Sequence, residues 1–273
     1  MSLSSLEAKP RAADGFAALL RDWRRKRRVS QLDLALSSGA SQRHVSFLES
    51  GRARPSRSMI LRLSETLDVP LRERNAWLTA AGFAPMFKTR ALDDPTMRQV
   101  MGAVRMMLTH HEPFPAIALD RAWNIRMTNA AFDRLNAGLG ADLWDRLGGG
   151  EPNLMRLFYH PAGIRPLITN WAAVGALVWR RAEREAESLG GQDMKAILAE
   201  LAPHQDLDTL KGASEAALAP VLPFDLALGD LRLSMFAVVA TFGTAQDVTT
   251  DELRIETLFP ADAATEAFFR AAA

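Results

Sequence analysis

Ser30–Ser56 reads "SQLDLALSSGASQRHVSFLESGRARPS". Its apolar residues form two short helical sets separated by a glycine. Leu34, Ala35 and Leu36 stand before Gly39, and Val45 and Leu48, three apart, stand after it. Ser30 and Ser41 occupy the positions where helix N-caps belong, and Gly39 and Gly51 the positions where helices stop. The second set leaves Gln42, Arg43, His44 and Ser46 on its free side, with Arg52, Arg54 and Arg57 following. A helix docked in the major groove of DNA needs an apolar side held by its own domain and a polar side facing bases. It also needs a small-residue turn that lets a scaffold helix cross it. This stretch supplies all three.

On that reading Gln42 and Arg43, at the start of the third helix, reach deepest into the groove. Glutamine pairs with adenine through N6 and N7, and arginine with guanine through O6 and N7. Ser46, one turn on, reaches a base or a phosphate. Phe47 either touches a thymine methyl or packs against its own domain. Gln31, Ser41, Arg52, Arg54 and Arg57 suit phosphates, which hold register without reading sequence.

Outward from this stretch the helical period continues. Phe16, Leu19, Leu20 and Trp23 give one apolar face to a helix over Gly15–Arg27. Ser56 or Ser58 opens a fourth helix carrying Ile60, Leu63 and Leu67. Pro70 and Gly82 frame a fifth with Leu71, Ala76, Trp77 and Leu78. Residues 15–83 therefore read as an all-α domain of five helices, after a disordered lead-in over 1–14 and before a linker over 84–95. Charge agrees with this division. Residues 1–90 hold 17 Lys+Arg against 8 Asp+Glu, and the remainder 16 against 24, so the net +1 conceals a basic block on an acidic body. Such a block suits a polyanion-binding module, or simply a soluble face.

A helix about Thr96–His110 follows, and then the period changes to two. "PAIALDRAWNIRMTN" predicts strands at 116–119 and 122–127 around an Asp120-Arg121 turn. Helical and loop-like sequence runs on to about Ala219, including a helix at Asn170–Leu189. "FDLALGDLRLSMFAVVATF" predicts a hairpin on Gly229-Asp230, "DELRIETLFP" a last strand and Ala261–Arg270 a last helix. Residues 96–273 thus read as an α+β domain, an antiparallel sheet with helices on one side.

Several chemistries are disfavoured. With no cysteine there is no disulfide, thiolate metal site or cysteine nucleophile. No apolar run has the length of a leader or a membrane span, so the expectation is a cytoplasmic protein without a membrane partner. His110, His111, His160 and His204 lack companions at metal-ligand spacing. "GGGEPN" at 148–153 reads as a loop rather than a phosphate cradle. No Ser-His-carboxylate set suggests hydrolysis, so no enzyme is expected. Tyr159 reads as packing, and "RRAERE" at 180–185 as a solvated helix face with i,i+4 pairs.

The stretch Ser30–Ser56 resembles the Xre family of helix-turn-helix regulators, over residues 16–82. The resemblance rests on the Gln-x-x-Leu-Ala opening, the turn glycine, and Leu-Glu-x-Gly followed by basic residues and proline. It implies a lambda-repressor-like fold, with Gln31 and Ser41 as backbone contacts and Gln42 and Arg43 as base contacts, Ser46 and Phe47 adding to them. Glu49 and Gly51 would only finish the third helix. Arg43 stands where the family often has a second glutamine, which implies guanine in place of adenine in the half-site.

Residues 96–270 resemble the ligand-binding domain of MmyB-like transcription regulators, a PAS-like fold. "PAIALDRAWNIRMTNAAFDRL", "EPNLMRLFYHPAGIRPLITNW" and the closing strands carry that resemblance. It implies a fatty-acid-like molecule held between sheet and helices. Candidate walls are Trp123, Ile125, Phe132, Leu154, Met155, Phe158, Leu177, Leu233 and Met235, which otherwise simply fill the core. Arg126, Arg156 and Arg165 are candidates to meet a carboxylate head group. The expected protein is a sequence-specific transcription regulator, a homodimer on a two-fold operator in double-stranded DNA. It has no cofactor or metal, only a bound fatty acid or other apolar small molecule as effector. The alternatives are a C-terminal domain that dimerises without a ligand, or an enzyme fused to a DNA-binding head.

Overall fold

The computed structural model describes residues 12–188, 191–206 and 220–271. The chain separates into two compact units. One runs to Thr89 and takes in Gln246–Val248, and the other holds Arg90–Ala245 and the chain from Thr249 onward.

The first unit contains α1 (Ala12–Lys26), α2 (Gln31–Ser38), α3 (Gln42–Glu49), α4 (Arg57–Thr66) and α5 (Leu71–Ala80). Most of the lead-in expected over 1–14 lies outside the described residues. Its last three residues are helical, because α1 already begins at Ala12, where two alanines favour the helix ahead of Gly15. The serine caps form as the sequence suggests. Ser30 Oγ accepts the Asp33 N–H at 3.0 Å and Ser41 Oγ the His44 N–H at 3.1 Å. Ser56 rather than Ser58 caps α4, accepting the Met59 N–H at 3.2 Å. Gly39 ends α2 at φ +64°, a left-handed conformation open to a residue without Cβ. Phe16, Leu20, Leu34, Val45, Leu48 and Trp77 are wholly buried, with Phe16 edge-on to Trp77 at 5.7 Å.

The second unit opens with a 3-10 turn at Pro95–Met97 and α6 (Arg98–His110). There follow β1 (Ala116–Leu119), β2 (Ile125–Thr128), α7 (Ala130–Ala137), α8 (Leu143–Arg146) and α9 (Leu154–Tyr159). Then come α10 (Trp171–Ser188), α11 (Gln192–Leu201), β3 (Phe224–Leu228) and β4 (Leu231–Ala240). The described chain closes with α12 (Val248–Glu252), β5 (Arg254–Pro260) and α13 (Ala263–Ala271). The sheet order is β2-β1-β5-β4-β3 and every neighbouring pair is antiparallel.

Two expectations are corrected here. The second strand starts at Ile125, not at 122. Asp120 Oδ1 accepts the N–H groups of Ala122 and Asn124 at 2.8 and 3.0 Å, which locks a turn through Trp123. Trp123 adopts φ +62°, a left-handed conformation that no strand residue takes. Helices also cover both faces of the sheet at β1, not one. Ala116 and Ala118 pack with Val104 and Leu108 of α6, while Ile117 and Leu119 join the core built by α9, α10 and α11. All four residues of β1 are apolar and buried, the pattern of a strand sandwiched on both sides.

Candidate functional site

On α3, Val45 and Leu48 are fully buried while Gln42 and Arg43 are exposed. Ser46 and Phe47 are half-buried. The Arg43 guanidinium lies 5.2 Å from the Phe47 ring centroid, so the aromatic ring supports the arginine's stem and plane. Arg52, Arg54 and Arg57 are exposed, and Arg57 lies over the Phe83 ring at 5.7 Å. Ser41 uses its oxygen as an acceptor within the cap, which leaves its O–H proton for an outside acceptor. Gln31 donates one amide hydrogen to Glu49 at 2.7 Å and keeps a second.

Glu49 does far more than finish its helix. It is buried, with 5% of its surface exposed, and it joins three helices. Oε1 accepts Arg24 Nε at 2.5 Å, while Oε2 accepts Arg24 Nη2 at 3.0 Å and Gln31 Nε2 at 2.7 Å. Arg21 Nη2 also donates to the Glu49 carbonyl at 3.2 Å. This bidentate fork fixes α3 against α1 and α2. Burial by itself would raise the Glu49 carboxyl, but the hydrogen bonds from Arg24 and Gln31 and the charges of Arg24 and Arg21 hold it below its ordinary value. A signal was available in the sequence: Glu49 lies four residues after Val45 and so shares its inward face.

The second unit contains a cavity of about 490 Å³ between the sheet and helices α7, α9 and α10. Trp123, Phe132, Leu154, Phe158, Leu177 and Met235 line it, Leu177 being 42% exposed. Ile125, Met155 and Leu233 do not. Met155 is fully buried among core side chains, Ile125 packs on the outside of that same cluster, and Leu233 packs with Val174, Phe224 and Phe269. Their apolar character made these residues candidates, but it did not tell where along sheet and helices the gap opens. Leu226 of β3 and Leu258 of β5 line the cavity instead.

The three head-group candidates are elsewhere, each already engaged. Arg126 bonds Asp120 at 3.0 and 2.6 Å and Glu151 at 2.8 Å. Arg156 forks onto Glu200 with two bonds of 2.8 Å. Arg165 donates to the His204 carbonyl and lies over the Trp171 ring at 5.4 Å.

Among the described residues the cation on the cavity wall is Arg181, from the run that read as a solvated face. Its side chain is only 25% exposed. It makes the expected i,i+4 bond to Glu185 at 2.9 Å, but also lies 4.6 Å from the Trp123 ring centroid and 2.6 Å from Glu256. Trp123 Nε1 donates to the other oxygen of Glu185 at 2.8 Å. Glu256, on β5 opposite Ile117, is 5% exposed and also lines the cavity. Burial, helped by the charge of Glu185, raises its carboxyl above the ordinary value despite Arg181. Sequence pattern could not join α10 to β5 across this distance along the chain.

Among the described residues no three His, Asp or Glu side chains are grouped to hold a metal ion, and no helix is long and apolar enough to cross a membrane. A helix-turn-helix family model matches residues 20–74. The model of the MmyB-like transcription regulator ligand binding domain matches residues 100–272, more than half of the chain. The chain belongs to the MmyB-like transcription regulators. No curated protein matches it. This MmyB-like regulator therefore pairs a DNA-binding helix-turn-helix head with an α+β ligand-binding domain, and both matched domains are those of a transcription regulator.

Proposed function

We propose that this cytoplasmic regulator reads a specific operator through Gln42 and Arg43 and is controlled by an apolar, acyl-chain-like effector in the cavity of its second unit. Support for the first part is the face of α3: the two side chains with base-pairing chemistry are exposed, while Val45 and Leu48 anchor the opposite side. Arg52, Arg54 and Arg57 flank that face as phosphate contacts, with Gln31 and Ser41 keeping one donor each for the same task. Support for the second part is a cavity whose size suits a small ligand and whose wall is mostly Leu, Val, Phe and Ile.

The protein acts as a homodimer on a two-fold operator, with half-sites one helical turn, about 34 Å, apart. An effector changes operator affinity only so far as it binds two arrangements of the protein unequally. The test has two arms. Selection of bound duplexes from a random pool should return a symmetric motif, and a pool without enrichment rejects the sequence-reading role of α3. Solvent extraction of purified protein, followed by mass spectrometry and add-back to the DNA-binding assay, should return an acyl compound that alters operator affinity. An empty extract, with no uptake of added acyl compounds, leaves the second unit as a dimerisation body.

A further inference from the structure

One stretch of the sheet's edge is open. β3 pairs with β4 only as far as Phe224 opposite Met235, while β4 runs on against β5 to Ala240 opposite Ile255. Residues 236–240 therefore have a strand on one side alone. The Ser234 carbonyl accepts the Ala261 N–H on the β5 side, and backbone groups alternate along a strand. Phe236, Val238 and Ala240 thus bond toward β5, while Ala237 and Val239 turn their N–H and C=O groups outward. Among the described residues none of those four groups has a hydrogen-bond partner. The side chains here are apolar and exposed, Val238 by 47% and Val239 by 41%.

Elsewhere the sheet's margins are covered. Along β3 the Asp225 carbonyl accepts the Thr169 N–H and the Asp225 N–H bonds the Asn170 side chain, while Ile125 of β2 donates to the Pro152 carbonyl. Proteins blunt the edges they leave bare with a charge, a proline or a bulge. Phe236–Phe242, "FAVVATF", holds no charge and no proline, and residues 236–240 keep an unbroken register against β5. An edge of this kind takes up another extended strand.

Two-fold symmetry makes the strand its own complement. An axis through Val238 sets Ala237 opposite Val239 of the partner subunit and Val239 opposite the partner's Ala237, both as hydrogen-bonded pairs. All four outward groups of each chain are then bonded. A small side chain faces a larger one in each of those pairs, Val238 meets the partner's Val238 on the other face, and Phe236 lies opposite the partner's Ala240. No charge opposes a like charge. The uncharged edge offers nothing that would select a foreign strand in place of its own copy.

We infer that residues 236–240 form the homodimer interface of this protein, joining the sheets of two subunits into one continuous antiparallel sheet. The inference rests on the homodimer reading of the proposed function and gives that dimer its surface.

The test is sedimentation equilibrium on the full chain, unaltered and with Val238→Glu, Val238→Lys or Val239→Pro. Either charge at the exposed Val238 leaves the bonds to β5 intact but sets like charges on residues whose Cα atoms lie about 4.5 Å apart across the axis. Each charged variant should weaken the dimer about tenfold or more, and an equal mixture of the two should restore association to within about threefold. Val239→Pro removes an outward N–H, and so two bonds per dimer, without touching the ladder to β5; it should weaken the dimer about tenfold. Unchanged far-UV circular dichroism separates loss of the dimer from loss of the fold, and Val239→Pro decides the matter if the charged variants do not fold. A dimer indifferent to the variants, or folded charged variants that fail to re-associate on mixing, overturns this interface and leaves a dimer built elsewhere. An unaltered protein that stays monomeric overturns the homodimer reading itself.

Discussion

Arg43 on α3 and Arg181 on α10 both lie beside an aromatic ring, at 5.2 Å from Phe47 and 4.6 Å from Trp123, yet they belong to different kinds of site. Arg43 and its ring lie one helical turn apart on an exposed face, so local spacing specifies the arrangement. Arg181 gains its surroundings from the β1–β2 turn and from β5, on segments remote in the chain. The exposed face of α3 is written in one stretch. The cavity is assembled from many.

That contrast can be tested at descending scale. The largest effect expected is from Arg24→Met. It strips the buried Glu49 of its bidentate partner and should cost the first unit about 3 kcal/mol in urea denaturation. A loss too small to measure would mean that the helices are held without the fork. Next, Gly163→Ala should cost the second unit about 2 kcal/mol by overpacking, because a Cβ there would sit 2.2 Å from the Leu157 carbonyl oxygen. Leu157 and Ile164 also line the cavity, so uptake of a neutral apolar fluorophore such as N-phenyl-1-naphthylamine should weaken with it, and unchanged uptake would detach the cavity from this loop.

Arg43→Ala should relax preference at one base pair at a cost of about 1–3 kcal/mol, read from binding to a set of single-substituted operators. A uniform loss over all sequences contradicts base reading. Arg54→Ala should weaken binding evenly and reduce the slope of log affinity against log salt by about 1. An unaltered slope removes Arg54 from the phosphate contacts.

The gentlest probe is pH, where the two units should respond with opposite sign. Glu49 is held below its ordinary value of 4.5, so its contribution is present above that value and lost as pH falls through the folded-state value. Glu256 is held above 4.5, so its contribution is present below that value and lost as pH rises through the folded-state value. Denaturation monitored by pH for each unit, with Glu256→Gln abolishing its slope, checks both signs. The same sign in both units breaks the contrast.

Much of the fold was legible. The serine caps at Ser30 and Ser41, the glycine stops and the 3.6-residue spacing pointed to five helices, because each signal acts within one turn of backbone, whereas the choice of Ser56 over Ser58 came from the structure. The Gly229-Asp230 hairpin and the count of five strands were likewise readable from alternation and turn chemistry. Trp123 was misplaced in a strand because its left-handed backbone depends on Asp120 bonding two later N–H groups, which no period announces. Of the cavity walls, Phe132, Leu154 and Phe158 were among the candidates that the resemblance to the MmyB-like domain implied. Met155 and Leu233 were excluded only by where helices rest on the sheet.

By itself the sequence determined the helix-turn-helix head and the placing of Gln42 and Arg43 opposite Val45 and Leu48, since these depend on residues within a turn or two of one another, while composition alone determined the basic–acidic division of the chain. Tertiary structure alone decided that Glu49 joins three helices, that helices cover both sides of β1, and that Arg181 meets Glu256 at the edge of a cavity. The reason is physical. Periodicity selects the face on which a side chain lies, but the partner across that face is chosen by how separate segments pack, and charge becomes consequential only once packing has removed water from it.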